Sequence, residues 1–176
     1  NSKEWDSQPA ISADGMKIIF TSERAGGYGS ADLYQVEKNK FGDWGVPQNL
    51  GSVINTPWTE KSPYLAPDGK TLYFSSYGLP GFGGADLFKS TFEDGKWSAP
   101  VNLGQPLNSE GDDNYFTISA SGEFAYFAST RSGGNGMYDL YKIDIPEALR
   151  PKPSVVVSGT VTNAKSGEPT SAWVMV

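Results

Sequence analysis

The chain contains no cysteine and no histidine among its 176 residues. Without cysteine there are no thiolate zinc sites and no thiol nucleophile, and the redox compartment stays open. Without histidine the commonest general base and the commonest metal ligand are missing. Long apolar runs are also absent. The longest are a few residues, such as Leu72-Tyr73-Phe74, so no stretch is read as a membrane-inserting segment. Basic residues are outnumbered, 14 against 20 acidic, which gives a net charge of −6. Such a surface repels phosphate backbones, so nucleic acid is excluded as an expected partner. No basic cluster suggests an anionic bilayer either.

Aromatic residues make up 13% of the chain, beside 21 glycines and 12 prolines. That mixture suits short strands, tight turns and an aromatic core, and argues against disorder. The glycine of Asp14-Gly15 returns at Asp68-Gly69 and again at Ser121-Gly122, 54 and then 53 residues on. Other landmarks keep this register: Asp32-Leu33-Tyr34, Asp86-Leu87-Phe88 and Asp139-Leu140-Tyr141. Trp44 to Gly51 matches Trp97 to Gly104. Asn1-Ser2, Asn55-Thr56 and Asn108-Ser109 correspond, each followed by an acid at Asp6, Glu60 or Asp113.

Each unit reads as four strands. In the second, these are Pro63–Ala66, Thr71–Ser76, Asp86–Ser90 and an outer strand from Trp97 to Leu103, joined by turns at Asp68-Gly69 and Asp94-Gly95. Four antiparallel strands in about fifty residues are the pattern of a β-propeller blade. A β-sandwich module needs roughly 100 residues, twice as many. The expected fold class is therefore all-β: three blades over residues 1–54, 55–107 and 108–145, within a larger, six-bladed propeller. The third unit lacks the Trp-x-x-Pro-x-Asn-Leu-Gly strand. Residues 146–153 hold three prolines and read as a stiff, extended linker. Strands over Val155–Thr162 and Ala172–Val176 then suggest the truncated start of a β-sandwich at 154–176.

The run Ala66-Pro67-Asp68-Gly69-Lys70-Thr71-Leu72-Tyr73-Phe74-Ser75-Ser76 resembles the WD40-like repeat of TolB-type propellers. Ala13 replaces the proline in the first unit, and Ser121 replaces the aspartate in the third. The Trp-x-x-Pro-x-Asn-Leu-Gly tail and the Asn-Ser/Thr start are similar to propellers of OmpA-family envelope lipoproteins of Bacteroidota. Ser158 to Pro169 looks like the opening of a carboxypeptidase-regulatory-like sandwich. This resemblance implies a PorE-like architecture, of which a type IX secretion component is one member. It implies a site on the periplasmic face of the outer membrane, other envelope proteins as partners, and peptidoglycan held by a domain outside this chain. It implies no cofactor and no metal.

The recurring Asp32, Asp86 and Asp139 could be cation ligands or rim contacts, but recurrence in every unit favours carboxylates that tie down the glycine-rich loops. Gly111-Asp112-Asp113-Asn114 is the densest cluster of oxygen ligands and lacks a calcium-loop spacing. Arg24 and Arg131 match across units, with Gly78 between them, and could grip a partner carboxylate or be solvated loop charges. Tyr28, Tyr77, Leu79, Phe82 and Met137 break the repeat. A scaffold's demands are shared by all blades, so these residues are the candidate partner contacts, with inter-blade packing as the alternative. Trp44 and Trp97 repeat and read as blade core. Trp5 and Trp58 do not align; a sugar or peptide platform is one reading, core packing the other. The expectation is a non-catalytic interaction module. The rival readings are the propeller of a prolyl-oligopeptidase-like enzyme, which a downstream Gly-x-Ser-x-Gly elbow would mark, and a glycan-binding propeller.

Overall fold

The computed structural model describes residues 1–119, 121–152 and 159–170. Three antiparallel sheets follow one another along the chain. The first joins β1 (Asp6–Ile11), β2 (Lys17–Ser22), β3 (Asp32–Glu37) and β4 (Gln48–Asn49) in sequence order. The second runs β5 (Glu60–Leu65), β6 (Thr71–Ser76) and β7 (Asp86–Glu93), with both β8 (Lys96–Trp97) and β9 (Val101–Asn102) paired to β7. The third is β10 (Asp113–Ile118), β11 (Phe124–Ser129) and β12 (Asp139–Asp144). These are propeller blades, each a meander from an inner to an outer strand.

Two boundaries differ from the sequence reading. The inner strand of the second blade starts at Glu60, three residues before Pro63. The outer strand is broken into β8 and β9 because Pro100 offers no N–H to the ladder. Ser98 fills the gap: its carbonyl accepts from Ser90 Oγ at 2.7 Å and its hydroxyl accepts from Thr91 N at 3.0 Å.

Every inner strand carries the same bulge. The register slips between Ser7 and Ala10, between Lys61 and Tyr64, and between Asn114 and Thr117. The bulged residues Gln8, Ser62 and Tyr115 all have φ between 50° and 60°. The left-handed region is unfavourable for side chains of this kind, so the blade geometry imposes it. The Gln8 carboxamide links two blades, accepting from Ser62 N at 2.8 Å and Thr21 Oγ1 at 3.1 Å.

The core lies between blades. Ile19, Leu33, Leu50 and Ile54 of the first blade meet Leu65, Leu72, Phe74 and Phe88 of the second. Tyr73, Leu87, Leu103 and Leu107 of the second meet Phe116, Ala125 and Phe127 of the third, with Tyr73 stacked on Phe116 at 4.7 Å. Strand alternation explains this: Leu72 and Phe74 point to one neighbour, Tyr73 to the other. A buried asparagine fastens each junction. Asn55 accepts from Leu33 N and donates to Leu33 O, and Asn108 does the same with Leu87.

The proline-rich segment is not an extended linker at its start. Glu147–Leu149 form a 3-10 turn that folds back over the second junction. Tyr73 OH donates to Leu149 O at 2.6 Å, and Arg150 Nε donates to Ile145 O at 3.0 Å. Leu149 packs on the apolar cluster, which outweighs the extended preference of the flanking prolines. Further on, Thr162 and Pro169 form a bridge across a turn. Of the expected strand Val155–Thr162, residues 155–158 lie outside the described residues and residues 159–162 make only the Thr162 bridge; the expected strand Ala172–Val176 also lies outside the described residues.

The glycine-loop face as a candidate interaction surface

The loops after β2, β6 and β11 and the segments entering each new blade share one end of the strands. Ser30 N donates to Trp58 O, and Gly84 N donates to Gly111 O. The approach is close enough that a side chain at Gly29 or Gly83 would run into the backbone of residues 56–58 or 110. Within each loop one carboxylate caps two backbone N–H groups. Asp32 accepts from Tyr28 and Gly29, Asp86 from Phe82 and Gly83, and Asp139 from Asn135 and Gly136. Burial pushes the Asp86 carboxyl up, against the two N–H groups that lower it.

The loops are thus held rigid from beneath, and their tips carry aromatic residues. Trp5, Tyr28, Trp58, Tyr77, Phe82, Met137 and Tyr138 are all exposed at this end. Tyr28 and Phe82 occupy equivalent positions in adjacent blades, each donating its backbone N–H to its blade's aspartate. Trp58 is 65% exposed and Trp5 45%, so neither is core. Both sit on segments entering a blade, clear of the inter-blade clusters. Leu79 differs from the other repeat-breaking residues: it packs on the first junction.

Arg24 and Arg131 are neither solvated nor available. Arg24 lies over the Phe20 and Tyr34 rings and donates to Asp6 and Ser22. Arg131 lies over Phe127 and Tyr141, donates to Asp113 and Ser129, and reaches the carbonyls of Pro106 and Leu107 in the preceding blade. Burial raises the Asp6 carboxyl, and the Ser2 N–H with the Ser22 and Arg24 donors outweighs it, holding the group well below the usual range. The middle blade replaces the arginine by Gly78, because Thr56 occupies that space. Its acid is the longer Glu60, which accepts from Thr56 N, Thr56 Oγ1 and Ser76 Oγ, each at 2.7 Å. With no cation beside it, burial raises the Glu60 pKa.

Trp97 and Trp44 share a repeat position but not an environment. Trp97 packs on the first junction and against Phe92 at 5.1 Å. Trp44 is 42% exposed, so it is not core as the repeat suggested. The reason is geometric. Trp44 lies on the side of the first blade that would meet a preceding one, where the Lys38 ammonium sits over its ring at 4.9 Å from the centroid and no apolar cluster of the described residues packs on it. There it lines a 390 Å³ groove with Ile18, Phe20, Val36 and Pro47. The remaining repeat residues are turns. Asp14 accepts from Met16 N and Ser12 Oγ, Asp68 from Lys70 N and Thr71, and Gly15, Gly69 and Gly122 hold the positive φ each hairpin needs. Ser121 replaces the aspartate in the third turn, where its Oγ accepts from Glu123 N at 3.4 Å, longer than the equivalent Asp contacts.

Between the second and third blades lies a cluster of which the sequence singles out Tyr77 and Asp112, but separately. Asp112 accepts from Tyr77 OH at 3.0 Å and Tyr138 OH at 3.2 Å on one oxygen, and from Ala85 N at 2.9 Å on the other. Lys61 Nζ donates to Tyr77 OH at 3.2 Å, and Asn114 Nδ2 donates to Tyr138 OH at 3.2 Å. Burial lowers the Lys61 pKa, partly offset by Asp112. These residues are scattered over four segments, and none repeats in kind, so no sequence pattern joined them.

Among solved structures the chain is similar to TolB from Acinetobacter baumannii, at 20% identity and a TM-score of 0.54. The match covers 78% of this chain and 29% of that one. The fold is a TolB-like β-propeller. Puromycin hydrolase is similar at 15% identity over 82% of this chain and 28% of that one, with a TM-score of 0.42. A putative TolB from Agrobacterium tumefaciens is similar at 17% identity over 90% of this chain and 65% of that one, with a TM-score of 0.43. At those scores neither decides anything about the propeller. No protein-family model matches the chain, and no curated protein matches it. The chain spans less than a third of the TolB it resembles, and three blades are fewer than the four to eight that close a ring.

Proposed function

We propose that this propeller is a non-catalytic protein-interaction module of the cell envelope, and that its glycine-loop face makes the contact. The observation that carries this is the crowding of exposed aromatic side chains onto one end of the blades, above loops locked by Asp32, Asp86 and Asp139. Rigid aromatic anchors are what a protein interface needs at its centre. The compartment in this reading is the periplasmic face of the outer membrane. The sequence resemblance to OmpA-family lipoproteins supports it, with peptidoglycan bound by a domain outside this chain and type IX secretion as the process served. A photo-crosslinker placed at Tyr28 or Phe82 is expected to capture an envelope protein, whereas one at Phe41, on the opposite end, is not. Equal capture from both ends would overturn the assignment of the face.

The exposure of Trp5 and Trp58 favours a second reading, a glycan platform. Tryptophan fluorescence titrated with peptidoglycan fragments and common polysaccharides tests it. A flat response removes it.

A further inference from the structure

Charge is not shared evenly between the two ends of the blades. The loop-end half comprises residues 1–7, 22–34, 50–62, 76–87, 103–114 and 129–140, and it holds ten acidic and four basic residues. The turn-end half, the rest of residues 1–152, holds nine of each, and residues 153–176 add one of each. Lys89, in mid-strand, reaches the carbonyls of Ala148 and Arg150 at the turn end. The whole net charge of −6 therefore lies at the loop end. Three of the four bases there are engaged: Arg24 and Arg131 in ion pairs with Asp6 and Asp113, and Lys61 on Tyr77 OH. Of the acids, Glu4, Glu23 and Glu110 are exposed, and each stands beside an exposed aromatic residue. Glu4 precedes Trp5 in the chain, Glu23 N donates to Trp5 O at 3.0 Å, and the Glu110 backbone lies against Gly83, next to Phe82. Trp58 takes the repeat position that Glu4 holds in the first blade. Glu110 accepts from Ser132 N at 3.0 Å, which holds its carboxyl down to about 2 and keeps it charged at neutral pH. The acids are dispersed: among the described residues no three of them are placed to hold one metal ion.

We propose that the loop face docks a basic protein segment, whose lysine or arginine side chains lie over the exposed rings of Tyr28, Trp58 and Phe82 and among the carboxylates of Glu4, Glu23 and Glu110. The face of an aromatic ring attracts a cation, and a carboxylate beside the ring adds to that attraction. The chain already uses this chemistry internally: Lys38 lies over Trp44 at 4.9 Å and Arg24 over Tyr34 at 4.8 Å, with Asp6 accepting from the same guanidinium. A dispersed field of one sign steers an extended cationic surface and suppresses encounters with anionic ones. A neutral glycan stacks on tryptophan without drawing on charge gathered at one end. This rests on the loop-face reading and names the chemistry of the partner that face takes.

The test uses the full chain with the peptide acetyl-Gly-Lys-Phe-Arg-Gly-amide and its counterpart with Gln at both basic positions, read by tryptophan fluorescence. In low salt the basic peptide is expected to bind about tenfold more tightly than the Gln peptide, and the difference should shrink as salt is raised. Glu4→Gln, Glu23→Gln and Glu110→Gln together should abolish the preference. Asp43→Asn, Asp94→Asn and Glu123→Gln, at three exposed turn-end acids, change the net charge by the same amount and should leave it intact. Equal binding of the two peptides overturns the proposal, as does an equal loss in both triple variants, or a response to neutral polysaccharide with none to the basic peptide. The peptide pair and the salt series decide on the unsubstituted protein, so a variant that fails to fold does not protect the proposal. An envelope protein captured at Tyr28 or Phe82 as well in high salt as in low would sink this inference and leave the interaction face standing. Preference for the basic peptide without crosslinks would do the reverse.

Discussion

Asn108 shows how much one side chain carries. Its carboxamide satisfies both Leu87 N and Leu87 O at about the spacing of a strand partner and also donates to Asn102 Oδ1 at 2.7 Å. Asn108→Ala strands the buried Leu87 N–H at a site 1% exposed, while Leu87 O keeps the Leu103 N–H. An unmet buried donor costs roughly 1–3 kcal/mol, so chemical denaturation should show a loss of about 1–3 kcal/mol. Asp6 sets a pH dependence. Its folded pKa is depressed, so its stabilisation is full above the unfolded carboxylate value and is lost as pH falls through and below it. Melting temperature measured from pH 5 down to about pH 2 should therefore fall less steeply in Asp6→Asn than in the parent chain. At neutral pH the same variant should melt lower, because Arg24 loses its partner.

Elements behave as repeats with exceptions, and the exceptions follow from neighbours. Gly29 and Gly83 press against the segment that starts the next blade, while Gly136, their equivalent, meets nothing within 4 Å. Gly83→Ala is expected to cost about 2 kcal/mol or more, and Gly136→Ala within about 0.5 kcal/mol, read as melting shifts of the two variants side by side. The same logic explains what the sequence made legible. Strand alternation and Asp-Gly turns located the blades, because those signals are local and periodic. The Lys61–Asp112 cluster was invisible, because it joins four segments through tertiary contacts. Arg24 and Arg131 looked like loop charges, since nothing local reveals a ring beneath a guanidinium or a carbonyl in the preceding blade. Trp44 looked like core because its repeat partner Trp97 is; only the missing neighbour separates them.

For the whole molecule, two sheet faces stay uncovered by the described residues. On the first blade it is the groove of Ile18, Phe20, Val36 and Trp44; on the third it includes Tyr126 and Leu140, the latter 86% exposed. Apolar faces of this kind bind something or associate. A chain limited to these residues is expected to self-associate with rising concentration in sedimentation, and Val36→Lys with Leu140→Lys should shift it towards the 18.9 kDa monomer.

The asparagine fastening also sets how such a protein comes apart. Asn108 belongs by sequence to the third blade, yet its bonds are made to the second, and Asn55 does the same one junction earlier. Fraying of one blade withdraws a partner from the strand of the blade before it. Amide hydrogen exchange at Leu33 should therefore track the opening of the second blade, and exchange at Leu87 that of the third. The cooperative units of this propeller are then staggered against its blades, each ending one asparagine inside the next.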